Sequence, residues 1–124
     1  MILKLTNRSK NFYAYLGIVF GSREAEKVTG DRFYDDDDKD WYIYFHNSKP
    51  TAFVSVQQSK IKNVWGDNRE HLIKTLQEVN KKESIKESVV PIVFKKEYEA
   101  AGFLETGNGY KNFMKIRGVK NGED

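Results

Sequence analysis

The sequence predicts an α/β (α+β) domain, a mixed central sheet of about six or seven strands with helices on both faces. Three observations carry this expectation. Residues 41–46 and 51–57 are aromatic and β-branched runs on either side of Asn47-Ser48-Lys49-Pro50, good turn residues, and read as a β-hairpin. Leu72, Ile73, Leu76 and Val79 recur at helical spacing. The chain as a whole reads in the order β-α-α-β-β-β-α-β-α-β-β, in which helices over 69–82 and 91–101 are expected to join neighbouring strands right-handedly.

Taken in order, residues 2–6 alternate apolar and polar side chains and form a first strand. Asn7-Arg8-Ser9 offers side-chain oxygens to the orphan amides of a helix start, and Phe12, Tyr13, Leu16, Val19 and Phe20 follow at helical spacing. Gly21-Ser22 breaks that pattern, and Ser22 caps a second short helix over 23–29 that stops at Gly30. Residues 31–40 form a loop, because Asp35-Asp36-Asp37-Asp38 is too charged for a core. After the hairpin, Ile61, Val64 and Trp65 mark a shorter strand, and Asp67 or Asn68 caps the helix over 69–82. Residues 85–90 form another strand. Pro91 suits the first position of a helix, where its missing amide costs nothing, and Gly102 closes that helix. Residues 103–106 and 110–116 pair around Gly107-Asn108-Gly109, a turn that needs positive φ. A single domain over 1–119 is expected, with a frayed tail at 120–124.

Composition narrows the function classes. The chain has 124 residues, one domain's worth, with 39% hydrophobic and 14% aromatic residues and only 2 prolines, so it is globular and not disordered. The absence of cysteine excludes disulfides, thiolate zinc sites and a cysteine nucleophile. Net charge is +3, from 21 basic and 18 acidic residues, too mild a bias for a dedicated nucleic-acid binder. No apolar run reaches signal-peptide or membrane-span length, so a cytoplasmic protein without a membrane partner is expected. His46 and His71 have no second histidine or carboxylate at metal-ligand spacing, and no metal site is expected.

The segment that points to a chemistry is Tyr98-Glu99-Ala100-Ala101-Gly102-Phe103, a short amphipathic helix that ends on glycine and runs into a strand. It resembles the C-terminal signature of the GCN5-related N-acetyltransferases (GNAT), in which a tyrosine four residues before a Gly-Phe pair stands beside the thioester of acetyl-CoA. The element order is similar to that of the same family. The resemblance implies that Tyr98 protonates the leaving thiolate of coenzyme A, a role that suits a phenol neutral at pH 7. The residues alone also allow Tyr98 as a surface or core tyrosine and Gly102 as a plain helix cap.

The family holds the pyrophosphate of acetyl-CoA on a loop of pattern Gln/Arg-x-x-Gly-x-Gly/Ala before its long helix. Glycines there let amides approach the phosphates, and the helix start adds its dipole. Matching Leu72-Ile73 to the aliphatic pair that follows this loop places cofactor binding on Val64, Trp65, Gly66, Asp67, Asn68 and Arg69. Val64 takes the Gln/Arg position, and Asp67 and Arg69 take the small-residue positions; all three depart from the pattern. Arg69, Lys60, Lys62 and Lys74 offer compensating charge, and they also read as ordinary solvated residues.

The resemblance therefore implies an acyl-CoA-dependent N-acyltransferase with acetyl-CoA as cofactor and an amine-bearing small molecule or protein as acceptor. The departures support a rival, a protein of the same fold with a degenerate cofactor site that acts as a non-catalytic macromolecular binding or regulatory protein. A third reading is a small α+β module that binds through its aromatic hairpin. His46, Asp40 and Glu70 are unranked candidates for a general base. His46 reads as a partly exposed turn histidine and His71 as lying on the solvated face of its helix. The acidic run over 35–40 lacks the glycine and spaced ligands of a calcium loop and reads as a mobile solvated loop. In the family that loop often borders the acceptor site, where it would suit a cationic amine. Of Trp41, Tyr42, Tyr44, Phe45 and Phe53, strand alternation turns about half toward the core, and the rest lack interleaved arginines, so nucleic acid is not expected. The family often dimerises through its last strands, and Tyr110, Phe113 and Met114 leave a homodimer open.

Overall fold

Two tight turns build the first sheet. Asn47 and Ser48 have φ of 50° and 65°, and Gln58 and Ser59 have φ of 53° and 64°. Both pairs are thus two-residue turns with positive φ at each central position, whose twist matches that of the strands they join. The computed structural model describes residues 1–15, 27, 29 and 37–119. Among these, the turns connect β2 (Asp40–His46), β3 (Lys49–Gln57) and β4 (Lys60–Gly66), while β1 (Ile2–Leu5) pairs with β2; the four strands form an antiparallel sheet in chain order. Residues 12–15, Lys27 and Thr29 are helical. The rest of the two early helices, the loop over 31–36 and the tail at 120–124 lie outside the described residues.

Both faces of this sheet are covered. Tyr42, Ala52, Val54, Ile61 and Val64 face the cluster that contains helix α1 (Arg69–Lys82), while Trp41, Ile43, Phe45 and Phe53 face a second cluster closed by Phe12 of the helical segment at 12–15. This corrects the expectation that half of the hairpin aromatics are exposed. Strand alternation divides them between two cores, and Trp41, Tyr42, Phe45 and Phe53 are all buried. Helix α1 has the predicted bounds, with Asn68 as its cap, and sets Leu72, Leu76 and Val79 against the sheet.

A smaller sheet holds β5 (Ser88–Pro91), β6 (Leu104–Asn108) and β7 (Phe113–Arg117) in the order β5-β7-β6. Here the prediction fails in three places. Pro91 does not start a helix: it is extended (φ −61°, ψ 132°) and pairs with Phe113, and the Ile92 amide continues the ladder to the Asn112 carbonyl at 2.8 Å. A 3-10 turn, Ile92–Phe94, then leads into a short helix α2 (Lys95–Ala100). Strand β6 runs through Gly107 and Asn108, because a bulge between Glu105 and Gly107 absorbs one residue and moves the turn to residues 109–112. Finally, β5 and β6 are not neighbours, since β7 returns between them and is antiparallel to both.

The ends of the helices meet at Asn80. Helix α2 closes in a Schellman motif: Phe103 N–H donates to Tyr98 O and Gly102 N–H to Glu99 O, each at 3.0 Å, with Gly102 at φ +91°. Asn80, only 7% exposed, donates from Nδ2 to Ala101 O at 3.2 Å and accepts from Val119 N–H at 2.8 Å. One side chain of α1 therefore fastens both the end of α2 and the end of the chain after β7.

Candidate functional site

The two sheets meet along β4 and β5. Lys86 N–H donates to Ser59 O at 2.8 Å, and Ile61 N–H donates to Ser88 Oγ at 3.0 Å. The partners advance together along the chain, so β4 and β5 are parallel and joined at their first residues. They share no ladder, and each belongs to its own sheet. At their carboxyl ends the chain turns into α1 after Gly66 and, after Pro91, into the 3-10 turn and α2. In open parallel sheets, the carboxyl ends of strands whose connections diverge are where ligands bind.

The predicted cofactor stretch divides along this turn. Val64 and Trp65 are strand residues facing opposite ways, Val64 into the α1 core and Trp65 stacked on Phe53 with centroids 6.0 Å apart. Gly66 serves packing, because a Cβ there would lie 3.0 Å from Leu72 Cβ and 3.2 Å from Ala52 Cβ. Only Asp67 and Asn68 separate β4 from α1. The Asp67 amide donates to Thr51 O at 3.1 Å, and Asn68 Oδ1 accepts from His71 N–H at 3.0 Å. The amides of Asn68, Arg69 and Glu70 precede the first intrahelical bond and present the positive end of the helix dipole. Arg69 lies beside them, 3.7 Å from Glu97 of α2 and largely exposed, so the ion pair holds it weakly. Asp67 and Glu70 carry opposing charge. The groups this turn offers to an anion are these amides and the Arg69 guanidinium.

Lys60 and Lys62 do not join them. They lie in the first half of β4, Lys60 about 20 Å and Lys62 about 13 Å along the strand from Gly66. Lys74 projects from an exposed position one turn further along α1. Residues 37–40 are also at the remote end: Asp40 opens β2, Asn7 Nδ2 donates to Asp37 Oδ1 at 3.1 Å, and Lys4 lies 3.7 Å from Asp40. The acidic segment is thus placed across the sheet from Arg69 and α2.

Tyr98 faces inward from α2 and is 1% exposed, in the cluster that also holds Val64, Val90 and Phe94, with its ring edge-on to Phe103 at 6.4 Å. Helix α2 sits at the carboxyl ends of β4 and β5, where Glu97 reaches Arg69. The phenol is therefore in the core near the carboxyl ends of those strands and sealed from solvent.

The fold also assembles a group that sequence spacing did not reveal. His71 is half-buried, not solvated: it stacks on Tyr44 at 4.2 Å and 10°, approaches His46 at 5.1 Å, and has Nδ1 2.8 Å from Thr51 Oγ1. Thr51 and Tyr44 come from the hairpin, so no local pattern on the helix announces them. The only sequence signal was Asn68, whose cap sets the register of the first turn. Near the last turn, Met114 is buried while Tyr110 is exposed.

No protein-family model matches the chain, and no curated protein matches it in sequence. Solved structures do. The crystal structure of Escherichia coli ElaA superposes with a TM-score of 0.62 at 12% identity, over 94% of this chain and 97% of that one. The fold is GNAT-like. A domain from Methanocaldococcus jannaschii matches similarly, with a TM-score of 0.60 at 13% identity over 94% of this chain and 96% of that one. Likeness at this identity establishes the mixed α+β fold, and the activity has to be argued from the residues. No helix of the described residues is long and apolar enough to cross a membrane.

Proposed function

We propose that the chain is an acyl-CoA-dependent N-acyltransferase that takes acetyl-CoA as donor and an amine, small molecule or protein, as acceptor. The observation that carries this reading is the position of Tyr98, on the helix that crosses the carboxyl ends of two parallel strands joined only at their starts. An acyl thioester supplies an activated acyl group and a thiolate that must leave with a proton. The amides of Asn68, Arg69 and Glu70 and the Arg69 guanidinium would bind a donor phosphate. Tyr98 would keep its phenolic proton at Oη, shielded from water within the core cluster that holds Val64, Val90 and Phe94, and give it to the departing sulfur. Access to Oη requires α2 to swing outward, which opens the weak Arg69–Glu97 contact.

Titration with acetyl-CoA tests this. A donor present at a hundred times its dissociation constant stabilises the fold by about 2.7 kcal/mol, readily seen as a thermal shift. No shift at millimolar acetyl-CoA removes the reading. Where binding is seen, Tyr98→Phe is expected to lower turnover with little change in donor affinity, and equal rates would show that Tyr98 is not the acid. A second reading, a non-catalytic macromolecular binding or regulatory protein, is favoured by the closed packing at Gly66 and the complete burial of Tyr98.

A further inference from the structure

We propose that His46 and His71 form a two-histidine site for a divalent cation of the zinc–copper class, with water in the remaining coordination positions. The site stands apart from the acyltransfer reading and does not depend on it. Its first support is distance. Two imidazoles bound to one ion at nitrogen–metal lengths of about 2.0–2.1 Å and a near-tetrahedral angle place their ring centroids about 5 Å apart. The centroids of His46 and His71 are 5.1 Å apart, with the rings inclined by 39°.

The second support is the way His71 is held. Thr51 Oγ1 lies 2.8 Å from His71 Nδ1, while its contact with Tyr44 O, at 3.5 Å, is at the outer limit for a hydrogen bond. In the tautomer with its hydrogen on Nδ1, that oxygen accepts and Nε2 keeps a lone pair for an ion. In metal-ligating histidines a hydrogen bond from the ring nitrogen away from the ion fixes ring orientation and tautomer. Thr51 is itself held, because its carbonyl accepts the Asp67 amide at 3.1 Å, and Tyr44 stacks flat on the imidazole. His71 is thus a positioned ligand, while His46, exposed at the end of β2, is free to adjust to an ion. Among the described residues no group of three or more His, Asp or Glu side chains gathers for a metal. Two nitrogens with water select ions that favour imidazole over carboxylate, and they exclude magnesium. A bound ion would clamp the β2–β3 hairpin onto the first turn of α1.

The chain has only 2 histidines, so its imidazole NMR signals form a two-line spectrum. On titration of the whole chain with zinc chloride, both signals are expected to move together and saturate with one ion, while magnesium chloride moves neither. His46→Ala removes an exposed side chain without touching the core, and it should weaken zinc binding by at least about tenfold. Thr51→Val should weaken it by about tenfold through loss of the orienting contact. The proposal is overturned if the imidazole signals stay fixed at millimolar zinc, if only one moves, or if His46→Ala binds as tightly as the parent. Undiminished affinity in Thr51→Val would overturn the assigned role of Thr51.

Discussion

Asn80→Ala should lower stability by about 2 kcal/mol. The substitution removes both of the side-chain bonds that fasten α2 and the end of the chain. Ala101 is buried, so leaving its carbonyl without the Nδ2 donor costs about 1–3 kcal/mol, while the half-exposed Val119 amide regains water and adds a cost near the bottom of that range. Alanine is the better helix former and returns roughly half a kcal/mol. With an unfolding entropy of about 2.1 cal/mol/K per residue, a chain of 124 residues has roughly 260 cal/mol/K, and 2 kcal/mol corresponds to a fall of about 8 °C in the thermal midpoint. The assay is thermal unfolding followed by circular dichroism, paired with urea unfolding to check that the slope is unchanged. Asn80→Asp is the companion variant: it keeps an acceptor for Val119 but turns an oxygen toward Ala101 O, so it should lose at least as much. An alanine variant within about 2 °C of the parent would refute the view that this side chain fastens the two sheets' connecting elements.

Two further outcomes are expected. Replacing Gln58-Ser59 by Asn-Gly should raise stability by about 1 kcal/mol, because both residues occupy the left-handed region that Asn and Gly adopt at lower cost; a urea midpoint that fails to rise contradicts this. The Tyr42 phenol is held above its ordinary value of about 10, first by burial and then by its 2.6 Å hydrogen bond to Glu83 and the charge of that carboxylate. A raised folded-state value means that its contribution is complete below about pH 10 and is lost as the pH climbs from there toward the folded-state value. Tyr42→Phe should therefore lose stability less steeply than the parent above about pH 10, and parallel curves would show that Tyr42 is not the group responsible.

Much of the fold was legible because local signals agreed. The period of Leu72, Leu76 and Val79 and the capping side chain of Asn68 pointed to the same helix, and its bounds came out as predicted. Alternation located β2 and β3 because their side chains fill two cores. The end of the chain was harder to read. Pro91 satisfies a strand end as well as a helix start, since either position leaves its missing amide uncounted, and the choice was made by the distant Phe113 and Asn112. Gly107-Asn108-Gly109 has the composition of a turn, yet the bulge at Thr106 shifts the reversal onward. The place of β7 between β5 and β6 is a tertiary choice that no window of sequence contains. The candidate site shows the same division. Arg69 was legible as a first-turn cation, while the company of His71 was not, because Tyr44, His46 and Thr51 reach it only after the hairpin has folded over the helix.

The seam between β4 and β5 has a mechanical consequence. One amide-to-carbonyl bond and one serine hydroxyl join the strands at their starts, and beyond that point the two sheets are held by side-chain packing, the fastening at Asn80 and the weak Arg69–Glu97 pair. The sheets are therefore leaves on a hinge whose pin is Ser59–Ile61 against Lys86–Ser88. Spreading the leaves strains apolar contacts but breaks no rung of either ladder, so the amides of each leaf should exchange with solvent as a separate cooperative unit. A Ser88→Ala chain would loosen the pin itself, letting the two units part before either one melts.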